Sequence, residues 1–140
     1  MGKLEGQPIL TSNQWEAVKR GGTTAIRRWI AKQMRGKSCL VVLIGPRTAG
    51  RPWVEYEIKK AWKDGRGVVG VYIHSLKNSR GHQASKGANP FDRLYLDSEK
   101  FSSIVKAYNP PRDSKAAYAA IERNLAGWVE EAIRIRKSYP

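Results

Sequence analysis

The sequence predicts an α/β sandwich: a short parallel sheet with helices on both faces. Three observations lead there. Cys39–Ile44 and Val68–Ile73 are continuous apolar runs rich in β-branched residues, the pattern of strands covered on both sides. Between them lies a Gly/Pro-punctuated loop, Gly45-Pro-Arg-Thr-Ala-Gly50, and then a helix opening at Pro52. Strand, helix and strand in that order make a β-α-β unit, with parallel strands and a right-handed crossover. Segments before and after it carry the 3.6-residue period of amphipathic helices.

Residues 1–14 show little periodicity, and Ile9-Leu10 reads as a strand tail or as an anchoring loop. Trp15–Val18 suits a short helical turn capped by Ser12 or Asn13, and Gly21-Gly22 breaks the chain. Thr23 or Thr24 then caps a helix to about Met34. Its stripe is Ala25, Ile26, Trp29, Ile30 and Met34, with Gly36 closing it. In the central unit Pro52 fits the first helical turn, where its missing N–H costs nothing. Trp53 and Glu57 lie one helical turn apart on a shared face, with Glu55 off it. Asp64-Gly-Arg-Gly67 leads into the second strand. Ser75–Lys100 is polar and Gly/Ser/Asn-rich, longer than an ordinary connection. Phe101–Tyr108 reads as a strand or a turn, and Pro110-Pro111 is a stop. A last helix starts near Asp113 and runs to about Arg136, with the stripe Tyr118, Ile121, Leu125, Trp128, Val129, Ala132 and Ile133. The reading is one domain over residues 1–140, with a core of about 9–108 and the helix of about 113–136.

The 140 residues suffice to bury about two-thirds of the unfolded surface. With 41% hydrophobic and 27% charged residues, disorder is not the default. The single cysteine, Cys39, excludes a disulfide framework and fits a reducing cytoplasm. No apolar run approaches the roughly 18 residues of a membrane span, and no signal-peptide core is visible. Net charge is +14, from 26 Lys and Arg against 12 Asp and Glu, which favours anionic ligands. The basic residues are scattered in pairs, and no nucleic-acid-binding motif accompanies them, so a nucleic-acid partner ranks last. With His74 and His82 as the only histidines and no CxxC or HExxH, no metal site is expected.

In open α/β sheets the ligand crevice lies outside the carboxyl ends of the strands. That edge collects Gly45, Arg47, Thr48, Arg51, the helix N-terminus at Pro52, and His74 after the second strand. A helix N-terminus offers N–H groups and a positive dipole to phosphate, and Arg47 and Arg51 can clamp it. The GxxxxGK[ST] and GxGxxG patterns are absent, so the phosphate signal is weak. Taken alone, Glu57 reads as an ion-pair partner of Lys60 or Arg51, Trp53 as a packing residue, and His74 as structural.

A resemblance changes these readings. The blocks SCLVVLIG (Ser38–Gly45) with Thr48, WVEYEI (Trp53–Ile58), GVYIH (Gly70–His74) and SKGANPFD (Ser85–Asp92) resemble the TIR-like proteins of the bacterial Thoeris antiphage system. Trp15-Glu16 and Ala25–Ile30 fit that family's first helical segment, and the similarity is ordered over roughly residues 9–108. The resemblance implies a flavodoxin-like three-layer fold and an NAD-consuming enzyme whose WxxxE glutamate, here Glu57, is catalytic. It also implies release of nicotinamide and an ADP-ribose-derived signal, cyclic in resembling proteins, that activates an effector protein. NAD is then a substrate, with no cofactor. Nicotinamide leaves neutral and needs no general acid, so one carboxylate that offsets an oxocarbenium-like ribose suffices. Trp53 and Tyr56 would wall the site, and Arg47, Arg51 or the helix N-terminus would take the pyrophosphate. Resembling proteins begin with a strand of the type FFSFHY and a helix, and this chain is expected to lack both. An uncovered sheet edge invites pairing with another chain, so the alternative is a non-catalytic module that self-associates or signals. Homo-oligomerisation is an expectation of that reading.

Overall fold

The computed structural model describes residues 25–77 and 81–140. The expectations for Ile9-Leu10, the turn at Trp15, the Gly21-Gly22 break and the caps at Thr23 or Thr24 fall outside them. Helix α1 is present over residues 25–33. Strand β1 (Cys39–Ile44), helix α2 (Pro52–Lys63) and strand β2 (Gly67–Tyr72) follow. The long polar stretch is broken by a 3-10 turn at Pro90–Arg93 and by a small antiparallel hairpin of β3 (Tyr95–Leu96) and β4 (Glu99–Lys100). Phe101–Tyr108 divides into a 3-10 turn, Phe101–Ser103, and strand β5 (Ala107–Tyr108). Helix α3 runs over Ser114–Lys137, and Asp113 caps it by accepting the Ala116 N–H at 2.9 Å.

The main sheet has the order β1-β2-β5 and is parallel throughout. Cys39 pairs with Gly67 and Ile44 with Tyr72, so the two apolar runs lie in full register. Among the described residues β1 is therefore an edge strand. A parallel sheet must be covered on both faces, and this one is. Ile26, Trp29 and Ile30 of α1 join Tyr118, Ile121, Leu125 and Val129 of α3 over one face, against Val69 and Val71. Val54, Ile58 and Trp62 of α2, with Phe91 and Phe101, cover the other against Val42, Ile44 and Val68. This is the α/β, flavodoxin-like three-layer arrangement.

Two contacts bind the layers at their ends. Arg136 of α3 donates from Nε to the Trp62 carbonyl at 2.9 Å and lies over the Trp62 ring at 4.7 Å. Glu131 accepts from Lys106 Nζ at 2.6 Å and from the Tyr108 hydroxyl at 3.1 Å, holding the short β5 beneath α3. Tyr108 stacks on Trp128 with ring centroids 4.6 Å apart. Trp128, placed by its spacing on the core stripe, is thus half-buried and serves β5 rather than the deep interior.

Candidate functional site

A cleft of about 850 Å³ opens beside β1, between α1 and α2. Its floor is the strand itself, Cys39–Leu43, and its upper rim is the loop carrying Gly45, Pro46, Arg47, Thr48 and Arg51. Trp53 and Glu57 line it from α2, and Ile30 and Ala31 of α1, with Met34 in the turn just after it, line it from the other side.

The rim loop is ordered by its own polar groups. Thr48 Oγ1 accepts the Gly45 N–H at 2.8 Å and donates to the Leu43 carbonyl at 3.3 Å. Arg51 Nε donates to the Arg47 carbonyl at 2.6 Å, so the two arginines are folded onto one short turn. Helix α2 has Pro52 in its first turn and no side-chain cap from Arg51. Its first N–H groups face the rim, where they suit an anion. From the far side the segment holding Ser85–Asp92 crosses the loop at Gly87. A Cβ there would stand 2.0 Å from the Gly45 oxygen and 3.0 Å from the Pro46 Cα, so only glycine permits this crossing. Asn89 accepts the Phe91 N–H at 2.9 Å, and Phe91 is wholly buried, which anchors the crossing segment.

Glu57 takes neither of the ion pairs that its spacing suggests. Lys60 pairs with Asp64 at 3.1 Å instead, Arg51 is held by the Arg47 carbonyl, and Arg93 sits 3.8 Å from Glu55. Among the described residues Glu57 has no ion-pair partner, and its exposed carboxylate stands on the cleft wall. Trp53 is 59% exposed, which corrects its reading as a packing residue: Val54 and Ile58 do the packing on α2. Gly45, Arg47, Thr48, Arg51, Trp53 and Glu57 are therefore brought to one cleft.

Two expected residues are not among its lining. Tyr56 is 65% exposed on another face of α2, because one residue along a helix turns the side chain about 100°. His74 follows β2, one strand in from the edge, in the turn after Tyr72, and its ring meets the Tyr72 ring edge-on at 6.0 Å. Its Nδ1 is buried and has no hydrogen-bond partner among the described residues. Burial first, then Lys86 and Arg112, hold its pKa below the ordinary value, so it is neutral at physiological pH. Lys86 lies 4.9 Å from the Tyr72 ring centroid, on the same side.

Cys39 lines the lower cleft, yet its thiol is pushed up to about 12 by burial and then by Glu130, so it stays protonated and inert. Among the described residues no His/Cys/Asp/Glu group has the spacing of a metal site, and no helix is long and apolar enough to cross a membrane. Sequence reasoning missed the α1 wall, Arg66 and Gly87. The first two follow from packing across the sheet. Gly87 lies within the SKGANPFD block, but its need for glycine is visible only once the crossing is seen.

The fold and the cleft define a parallel-sheet α/β domain with an anion-suited rim and a carboxylate, Glu57, that is unpaired among the described residues. Residues 2–78 match the TIR-like domain of the Thoeris protein ThsB, and the chain belongs to that family. It is similar to a Bacillus cereus (strain MSX-D12) protein named "Putative cyclic ADP-D-ribose synthase ThsB1", at 37% identity over 86 residues. That alignment covers 61% of this chain and 45% of the relative, so the chain spans about half of the length of the curated protein it matches.

Proposed function

We propose that this chain cleaves NAD at the N-glycosidic bond and that Glu57 is the essential carboxylate. The observation that carries the reading is Glu57 itself. It is a carboxylate with no ion pair among the described residues, on a cleft wall that also carries exposed Trp53 and faces Arg47 and Arg51. The name of the Bacillus cereus relative supports an NAD-derived product.

Each group has a part. The pyrophosphate sits on the Gly45–Arg51 rim, where arginines and helix N–H groups meet its charge. Trp53 offers a flat face to a ring of the substrate. The bond from ribose C1′ to the nicotinamide nitrogen breaks with its electron pair passing to nicotinamide, which departs neutral. Positive charge is left on the ribose, and Glu57 stabilises it and holds the ribose hydroxyls. Capture by water gives ADP-ribose; capture by the adenine of the same molecule gives a cyclic product that an effector protein can read.

The test is nicotinamide release by the purified chain beside Glu57→Gln, which keeps the shape and removes the charge. Turnover should fall by about 100-fold or more. Undiminished release by the variant rejects Glu57 in this role.

A further inference from the structure

The segment that follows β2 holds the rim loop at both of its ends. At one end Gly87 crosses against the Gly45 carbonyl and Pro46. At the other end stands Arg93. A Cβ placed on Gly50 would lie 3.0 Å from Arg93 Nη1 and 3.4 Å from its Cζ, so the guanidinium rests against the bare face of Gly50. Gly50 also has φ +83°, a conformation that other residues adopt only with strain. The same guanidinium reaches Glu55 in the first turn of α2, with Nε 3.8 Å from the carboxylate. One side chain therefore touches the last glycine of the rim and the helix that the rim feeds. Its own backbone is fixed, because Arg93 ends the 3-10 turn Pro90–Arg93, which Asn89 caps and the wholly buried Phe91 ties to the core.

Arg93 is largely exposed and its ion pair is long, so the contact contributes little to folding. Nor is Arg93 among the residues that line the cleft, so any effect on a bound molecule passes through its neighbours. What its contacts fix is geometry. Gly50 leads directly into Arg51 and Pro52, and the direction in which the chain leaves Gly50 sets where Arg51 and the first N–H groups of α2 stand. We infer that Arg93 is a positioning residue for the rim. It holds the Gly50 end while Gly87 holds the Gly45 end, so the rim meets a pyrophosphate without first having to be ordered. The inference rests on the reading of this rim as the pyrophosphate site of NAD cleavage, and its test separates the two.

The experiment compares the full chain with Arg93→Met, which keeps an unbranched stem and removes the guanidinium. Amide hydrogen exchange without any ligand reads the rim itself. The Thr48 N–H, bonded to the Gly45 carbonyl at 3.3 Å, and the Glu55 N–H, bonded to the Arg51 carbonyl at 3.1 Å, should exchange about tenfold faster in the variant. The Val69 and Val71 amides of β2 and the urea midpoint should not change. Nicotinamide release then reads the consequence. The KM for NAD should rise about tenfold with kcat within about twofold, the mark of lost binding rather than lost chemistry. On an Arg51→Ala background the same change should add less than about twofold to KM, because Arg93 acts through Arg51 and its neighbours. Unchanged exchange at Thr48 and Glu55 overturns the inference, as does a fall in kcat at constant KM or an undiminished penalty on the Arg51→Ala background. Absence of turnover in the unaltered chain rejects the NAD reading instead, and the exchange rates alone then decide whether Arg93 holds the rim.

Discussion

At Trp53 a large apolar side chain stays exposed beside a carboxylate, while its neighbour Val54 is buried. A residue that packs against little adds little to stability. Trp53→Ala should therefore shift unfolding by no more than about 0.5 kcal/mol, while raising the KM for NAD if the ring stacks on substrate. A chemical-denaturation curve and a saturation curve on the same preparation separate the two effects. His74 supports a prediction with a sign. Its folded pKa lies below the ordinary value because of burial, then Lys86 and Arg112. Below about pH 6.5 the unfolded chain takes up a proton that the folded chain resists, so stability is present above that value and lost as pH falls through the window. Urea midpoints should drop between about pH 7.5 and 5.5, and the drop should shrink in His74→Gln, which cannot titrate. An unchanged drop in the variant would move its origin to other groups. Glu57 was legible as a candidate through the WVEYEI block alone. Its lack of an ion pair was not, because Lys60 and Arg51 had equal claim on it by spacing, and only the placed Asp64 and the Arg47 carbonyl decide where they go.

Elements divide by where their stability comes from. β1, β2, α2 and α3 were legible because the signal is local: β-branched runs, Pro52 at a helix start, Asp113 as a cap, and a stripe repeating over 24 residues. β5 was not resolved from a turn. It has two residues and persists because β2 pairs with it and Glu131 holds Lys106 and Tyr108 from above. The 3-10 turns are likewise fixed by burial of Phe91 and Phe101 rather than by propensity. The cleft was illegible for the same reason, since it needs α1 and α2 on opposite sides of one strand edge. Two substitutions test how α3 holds the sheet. Leu125 is wholly buried between α3 and the sheet, so Leu125→Ala should cost about 2–5 kcal/mol in unfolding free energy. Gly67 is tighter still: a Cβ there would meet the backbone of Ala132 at 2.6 Å, so Gly67→Ala must push α3 away from β2. It should destabilise although it adds only a methyl group, and a lowered melting temperature is the reading. A neutral Gly67→Ala would mean that α3 can slide.

Over the whole molecule the dominant electrostatic fact is 26 Lys and Arg against 12 Asp and Glu. Salt acts on that balance in two opposing ways. It weakens exposed pairs such as Lys60–Asp64, Arg93–Glu55 and Lys106–Glu131, whose side chains are largely open to solvent. It also screens repulsion among the many cations left without a carboxylate, which act over distances comparable to the Debye length of about 10 Å at 0.1 M. Exposed pairs contribute little in water, whereas self-repulsion at +14 is summed over the whole surface and opposes the compact state. Screening should therefore win. The melting temperature should climb by several degrees from low salt to near-physiological sodium chloride, and a fall would show that the pairs outweigh the repulsion. Nucleotide binding should move the other way, because the Arg47 and Arg51 rim attracts an anion through the same screened field. If the proposed NAD site is right, the chain should be most stable in salt that weakens NAD binding there, so measuring both across one salt series separates the global charge from the local one.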